Sequence, residues 1–142
     1  MAITVDQAIE WAAARKHAVL ITLRRDGRAQ SSDVSYSVID GAVVVSLTAT
    51  RAKTANVRRD PRIVVHITDP GSWSYVSFDG VAELGEVTIE PHDQAADDLV
   101  DYYERVAGQA HPAWDEYRAA MVDERRQLAY VRPTTAVGQI NG

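Results

Sequence analysis

The chain has 142 residues, of which 46% are apolar and 25% are charged. This length and balance predict one globular domain over residues 1–142 with a buried core. The absence of cysteine excludes disulfides, thiolate metal sites and a cysteine nucleophile. The net charge of −5 argues against nucleic-acid binding, and no basic leader or apolar stretch of membrane-spanning length occurs. We therefore expect a cytoplasmic protein that binds neither nucleic acid nor membrane.

The residue pattern predicts a few helices and a larger number of antiparallel strands. Thr4 and Gln7 have the spacing of a capping box, which predicts a first helix through about Lys16. Further helices are predicted from the basic segment near residue 51, over 91–107 and over 112–125. Strands are predicted over residues 18–23, 28–39, 42–48, 62–68, 73–84 and 128–138. Hairpin turns and a late helical pair indicate an α+β antiparallel barrel rather than alternating βαβ units.

The Asp40-Gly41 turn predicts a two-residue hairpin, which fixes the residues that share a face of the two strands. One face is polar, and the apolar residues Val34, Tyr36, Val45 and Leu47 occupy the other. The polar face contains Ser31, Asp33, Ser35, Ser37, Ser46 and Thr48. A solvent-exposed face explains this pattern as well as a binding surface does.

Residues 51–62 (RAKTANVRRDPR) hold five basic residues and one acid in an otherwise acidic chain. Thr50 is a candidate N-cap, which places Arg51 and Lys53 in the first helical turn. Cations at that position oppose the helix dipole unless an anion binds there. The segment therefore predicts a site for one phosphate group. The alternative is a solvated surface helix whose arginines pair with acids.

Three segments together resemble a known family: GRAQSSDVSY (27–36), VVVSLTATRAKTANVRRDPR (43–62) and WSYVSFDGVAEL (73–84). In this order they are similar to the pyridoxamine-phosphate-oxidase-like split-barrel family, and within it to the actinobacterial flavin and deazaflavin oxidoreductases. The phrase RAKTANVRRDPR is the most specific part. The resemblance implies an α+β fold, namely an antiparallel split β-barrel with a short inserted helix and a late helical pair, and a homodimer.

The resemblance also implies a cofactor in a groove between two barrels, with its phosphate at Arg51 and Lys53. Trp73 and Met121 would reach this groove from the partner subunit. The implied cofactor-binding residues are Gln30, Ser32, Ser46, Leu47, Thr48, Arg51, Lys53, Thr54 and Trp73. The hairpin register places Ser32 on the face opposite the polar one, so both expectations hold only with a bulge or a different strand pairing.

The implied function is a reductase that transfers hydride from reduced coenzyme F420 to an unsaturated small-molecule acceptor. An FMN-dependent oxidase and a non-catalytic carrier of the cofactor are the alternatives. Tyr36, Tyr75 or solvent are candidate proton donors, and no residue pattern selects one as catalytic. The four histidines are dispersed without the spacing of metal ligands, so no metal is expected.

Overall fold

The computed structural model describes residues 2–141, which contain seven strands and four helices. The strands are β1 (His17–Leu23), β2 (Ala29–Ser35), β3 (Ser37–Ile39), β4 (Ala42–Thr48), β5 (Arg62–Asp69), β6 (Ser74–Leu84) and β7 (Arg126–Gln139). The helices are α1 (Val5–Ala13), α2 (Ala52–Arg59), α3 (Gln94–Ala107) and α4 (Trp114–Asp123).

The helix ends follow local capping groups. α1 begins at the predicted capping box, in which the Gln7 backbone N–H donates to Thr4 Oγ1 over 3.1 Å, but it ends at Ala13, before Lys16. α3 begins later than predicted because Asp93 is its N-cap and accepts the Ala96 N–H. It ends at Gly108 as predicted, where the backbone adopts a left-handed φ of 74°.

The strands form one antiparallel sheet in the order β2-β1-β5-β6-β7-β4-β3. β2 and β3 lie at its opposite edges, yet only Tyr36 separates them along the chain. Two consecutive Cα–Cα steps span at most about 7.6 Å. Ser35 and Ser37 therefore bring the two edges together, and the sheet curls into a half-barrel. This confirms the predicted α+β barrel class.

The predicted hairpin at Asp40-Gly41 is confirmed, with Ser37 opposite Val44. The prediction that its register continues along β2 is wrong, because β2 leaves β4 and pairs with β1 instead. Tyr36 redirects the chain: its N–H donates to Lys16 O over 3.0 Å, and its buried hydroxyl donates to Ala12 O over 2.6 Å. The predicted strand 28–39 is accordingly two strands.

The different pairing leaves the predicted faces in place, since Val34, Tyr36, Val45 and Leu47 all belong to the apolar cluster inside the sheet. Ser31, Asp33 and Ser35 are exposed on the outer face of β2, and Asp33 and Ser35 line one cavity with Ser46. Gln30 and Ser32 instead point to the inner side of the curled sheet, in line with buried Val34. Ser32 thus lies on the face opposite Ser46, as the hairpin register predicts, and the two residues line one cavity because β2 and β4 are not paired there.

β6 bends at Asp79-Gly80 as predicted, where its register with β7 shifts. Thr134 is the extra residue, and the irregularity accommodates Pro133, which has no N–H for the sheet ladder. A Cβ atom on Gly80 would lie 2.8 Å from Val131 Cγ1. Only glycine therefore permits this close approach of the two strands.

Two apolar clusters pack on the two sides of β4. The first fills the curled sheet and includes Ala12, Leu20, Val43, Val45, Leu47, Val57, Val65, Val76 and Phe78. The second lies between the sheet and helices α3 and α4, and includes Val44, Leu99, Tyr102, Met121 and Leu128. Side chains alternate along a strand, so Ser46 and Thr48 lie on the side of β4 that faces the α3–α4 pair.

Candidate functional site

The basic residues of the segment 51–62 divide into two groups. Three of them hold the local structure: Arg58 donates to Ala49 O, Arg59 donates to Leu23 O and Asn56 Oδ1, and Arg62 pairs with Asp60 over 2.8 Å. By contrast, neither Arg51 nor Lys53 forms an ion pair or a side-chain hydrogen bond within residues 2–141. These two cations are available to a ligand.

The N-terminus of α2 lies beside these cations. Arg51, and not the predicted Thr50, is the N-cap, because the Arg51 carbonyl accepts the first helical hydrogen bond from the Ala55 N–H over 3.1 Å. No side chain caps this end, and the first turn contains no acid. The first N–H groups of a helix have no partner within it. An anion bound here would meet free N–H groups, the positive end of the helix dipole and two cations.

A polar cavity of about 410 Å³ opens at this end of α2. It contains no acidic side chain among its lining residues, which are Gln30, Ser32, Ser46, Thr48, Arg51, Ala52, Lys53 and Arg126. β2 supplies the first two, β4 the next two, and α2 with its N-cap the three that follow. The structure therefore brings Gln30, Ser32, Ser46, Thr48, Arg51 and Lys53 together, although β2 and β4 are not paired.

Backbone groups of β4 also face this cavity. In a two-residue hairpin the residues that flank the turn form a hydrogen-bonded pair, here Ile39 and Ala42. Every second residue of β4 after Ala42 therefore directs its backbone N–H and C=O away from β7. Ser46 and Thr48 are among these residues. The Thr48 carbonyl accepts the Arg51 N–H (3.1 Å) and the Thr54 hydroxyl (2.7 Å). Ser46 directs its backbone groups into the gap between β4 and β2.

Arg126 is a cavity residue that the sequence reasoning missed. It lies at the start of β7 opposite Thr48, and its side chain donates to Glu124 Oε1 over 2.8 Å. No local motif marks it, since its position depends on the pairing of the last strand with β4. It adds a third positive charge to the cavity, partly offset by Glu124.

Gln30 is held by a buried network. Its Oε1 accepts a hydrogen bond from Asn56 Nδ2 over 3.0 Å, and the same amide group donates to Thr22 Oγ1 over 3.2 Å. Asn56 Oδ1 accepts from the Arg59 guanidinium over 3.1 Å. Asn56 and Thr22 are both buried. The basic segment thus supplies cations to one wall of the cavity and fixes a glutamine on the other.

Three predicted residues do not line this cavity with their side chains. Leu47 is fully buried in the apolar cluster inside the sheet. Thr54 is also fully buried, and its hydroxyl donates to Thr48 O. Trp73 lies at the turn between β5 and β6 with a φ of 56°, and 85% of its surface is exposed. The Pro70-Gly71 turn that precedes Trp73 is present as predicted.

The two tyrosines considered as proton donors, Tyr36 and Tyr75, also lie outside the polar cavity. Tyr36 is fully buried, and burial raises the pKa of its hydroxyl, which is already bound to Ala12 O. Tyr75 lies on the outer face of the sheet, where its ring stacks on His66 with a centroid separation of 5.6 Å. Neither residue lines the polar cavity.

A second cavity, of about 390 Å³, adjoins the polar one and shares Ser46, Lys53 and Arg126 with it. Its far wall is formed by the α3–α4 pair, through Tyr102, Tyr103, Val106, Ala107, Tyr117 and Met121. Burial raises the pKa of Tyr102, and it raises that of Tyr117 to about 12. Their hydroxyls donate to Ser35 O and Leu99 O. Both phenols are therefore neutral at physiological pH, and Met121 lines this cavity from its own chain.

Within residues 2–141, no group of three or more His, Asp or Glu side chains is arranged to hold a metal ion. No helix in that range is both long and apolar enough to cross a membrane.

Residues 5–138 match the pyridoxamine 5'-phosphate oxidase family. A conserved hypothetical protein from Mycobacterium tuberculosis has a similar fold, with a TM-score of 0.74, 22% identity, and coverage of 94% of this chain and 82% of its own. An F420 reductase is similar with a TM-score of 0.65 and 23% identity, over 89% of this chain and 94% of its own. The heme storage protein HutZ from Vibrio cholerae has a TM-score of 0.70 and 15% identity, over 98% of both chains. These likenesses concern the fold, whereas the family match spans nearly the whole sequence: the chain belongs to the pyridoxamine 5'-phosphate oxidase family.

Proposed function

We propose that this protein is a reductase that binds coenzyme F420 in the polar cavity and reduces an unsaturated organic acceptor. The observation that carries the proposal is the pair of unpaired cations, Arg51 and Lys53, at the uncapped N-terminus of α2 in a cavity lined by no acid. F420 has a phosphate on a polyol chain attached to a tricyclic ring. When bound, its reduced ring supplies hydride.

The cavity residues fit the parts of such a cofactor. Arg51, Lys53 and the free N–H groups of α2 suit a phosphate, because charge-assisted hydrogen bonds to a phosphate are the strong ones. Gln30, Ser32 and the Ser46 backbone suit the polar edge of a ring system. The similar structure described as an F420 reductase supports F420 as the cofactor. From the resemblance of segments 27–36, 43–62 and 73–84 we also propose the actinobacterial deazaflavin branch, and we keep the cytoplasm as the expected location.

The adjoining cavity gives the acceptor a place beside the ring. Its aromatic and aliphatic wall suits an apolar, unsaturated molecule, and its position across Ser46 brings it next to the cofactor cavity. The residues there exclude water and orient the acceptor. Because the phenols of Tyr102 and Tyr117 already donate to backbone carbonyls, we assign no side chain as the proton donor.

The proposal includes a homodimer in which Trp73 reaches the cofactor groove of the partner. The outer face of the sheet has an apolar hollow of about 420 Å³, lined in part by Ile21, Leu23, Val64 and Val81. Val81 is 46% exposed and Trp73 is 85% exposed. Exposed apolar surface of this kind is typical of an interface. Light scattering is expected to give a dimer, and Val81→Asp to give a monomer with weakened cofactor binding; a monomeric native protein would contradict the arrangement.

The function is tested by fluorescence titration of the purified protein with F420 and, in parallel, with FMN. We expect F420 to bind more tightly, and added quinone or enone acceptors to accelerate oxidation of bound reduced F420. Preferential FMN binding with oxygen consumption would identify an oxidase instead. Binding of F420 without acceleration by any acceptor would indicate a carrier.

A further inference from the structure

The hydrogen bonds behind Gln30 have a fixed direction that begins at Arg59. A guanidinium group can only donate hydrogen bonds. The side chain of Arg59 donates to Leu23 O and, over 3.1 Å, to Asn56. The atom of Asn56 that faces Arg59 must therefore be its amide oxygen.

The rest of the network follows from this assignment. With Oδ1 directed at Arg59, Asn56 directs Nδ2 at Gln30 (3.0 Å) and Thr22 (3.2 Å). Asn56 is only 6% exposed and Thr22 is fully buried. A reversed amide would leave buried donors facing donors, which is costly in the interior. Asn56 therefore presents a donor to Gln30, and Gln30 must accept this hydrogen bond with its amide oxygen, Oε1.

The Oε1 atom of Gln30 is bound to Asn56. The Nε2 group of Gln30 is therefore free to donate hydrogen bonds into the cavity that Gln30 lines. No described residue accepts a hydrogen bond from this group. We propose that Asn56 and Arg59 are positioning residues that hold Gln30 so that its amide N–H group donates to a ring carbonyl of the cofactor. This inference rests on the proposed function for the identity of the ligand.

The backbone of Ser46 narrows the chemistry of the bound group. Its carbonyl points away from β7 into the same cavity, so the cavity offers an acceptor on β4 and the Gln30 donor on β2. A ring edge with a carbonyl next to an N–H group, as in a pyrimidinedione, matches this pair. Because the amide of Gln30 has a fixed orientation, it would favour ligands whose ring presents a carbonyl at this position.

A first experiment tests the direction of the network without any ligand. NMR of the side-chain amides should show that the Asn56 NH₂ protons exchange slowly with solvent and contact Thr22, whereas the Gln30 NH₂ protons exchange quickly. Slow exchange at Gln30 together with fast exchange at Asn56 would overturn the assignment, whether or not the protein binds F420.

A second experiment measures the coupling between Asn56 and Gln30 through F420 binding. In Asn56→Asp, only oxygens face Gln30, whose amide must then rotate and present its oxygen to the ligand. We expect Asn56→Asp to weaken F420 binding by about 10-fold or more, the scale of one hydrogen bond made unfavourable. In a Gln30→Ala background the same change should cost less than about 2-fold, because no amide remains to be oriented.

Gln7→Glu, an exposed substitution on α1 that adds the same charge, is the matched control and should leave the affinity unchanged. An equal loss from Asn56→Asp in both backgrounds would mean that Asn56 acts by charge or structure alone, and would refute the positioning role. If the native protein binds neither F420 nor FMN, the proposed function fails, and the exchange measurement still decides the orientation of Gln30.

Discussion

Replacement of Lys53 by methionine separates a ligand-binding cation from a structural one. Methionine keeps most of the apolar stem and removes the charge. Lys53 has no ion-pair partner within residues 2–141, and its charge shares the cavity with Arg51 and Arg126. We therefore expect the substitution to weaken cofactor binding without weakening the fold.

The size of both effects follows from the contacts. Loss of one charge-assisted hydrogen bond to a phosphate costs about 1–3 kcal/mol of binding free energy, or about 5- to 150-fold in affinity. In the ligand-free protein, a cation in the first turn of α2 opposes the helix dipole by a few tenths of a kcal/mol. Removing the charge of Lys53 should therefore leave the free energy of unfolding unchanged or slightly higher.

The assay combines F420 titration with thermal denaturation of the ligand-free protein. Arg105→Met is the matched control, because it removes a cation that pairs with Asp101 on the exposed surface of α3 and lines neither the two cavities nor the apolar hollow. The control should bind F420 within about 2-fold of the native protein, since an exposed ion pair contributes little. Native-like affinity in Lys53→Met, or a stability loss above about 1 kcal/mol, would refute the anion site.

Three further predictions concern the fold. Gly80→Ala should destabilise the protein by about 1–3 kcal/mol in chemical denaturation, because its Cβ would press on Val131; a neutral result would contradict the tight strand crossing. Tyr36→Phe should cost about 1–2 kcal/mol by leaving the Ala12 carbonyl without its donor, and should leave F420 affinity unchanged if Tyr36 has only this structural role. Asp93→Ala should cost about 1–2 kcal/mol and flatten acid unfolding. Burial opposes ionisation of Asp93, but hydrogen bonds from backbone N–H groups outweigh it and lower its pKa to about 2. The stability that ionised Asp93 provides is therefore complete above the unfolded-state pKa near 4 and is lost as pH falls through about 2. Denaturation curves of Asp93→Ala should not show this loss.

Features that depend on neighbouring residues could be predicted from the sequence. The capping box of Thr4 and Gln7, the Asp40-Gly41 turn and the left-handed Gly108 each act over a few residues, so their chemistry is visible in the order of the letters. The predicted strands follow for the same reason, from apolar runs between turn residues. The start of α3 at Gln94 differs from the predicted residue 91 because Asp93 is the N-cap of that helix.

Features that depend on distant residues could not be predicted from the sequence. The pairing of β2 with β1 depends on where Tyr36 finds its partners, Lys16 and Ala12, and no local pattern encodes them. Arg126 enters the cavity through the pairing of β7 with β4. The family resemblance supplied Gln30 and Ser32, which the hairpin register alone would have placed apart from Ser46.

The single residue between β2 and β3 also determines the shape of the groove. The two walls of the groove, β2 and β4, meet near Tyr36 and separate toward Gln30 and Thr48, like the arms of a V. The covalent length of one residue keeps the two arms together at this vertex, and the backbone N–H of Tyr36, bound to Lys16 O, holds that residue in place. Substitutions along the walls can therefore change which groups a ligand meets, whereas insertion or deletion of a residue at the vertex would change how thick a ligand can enter.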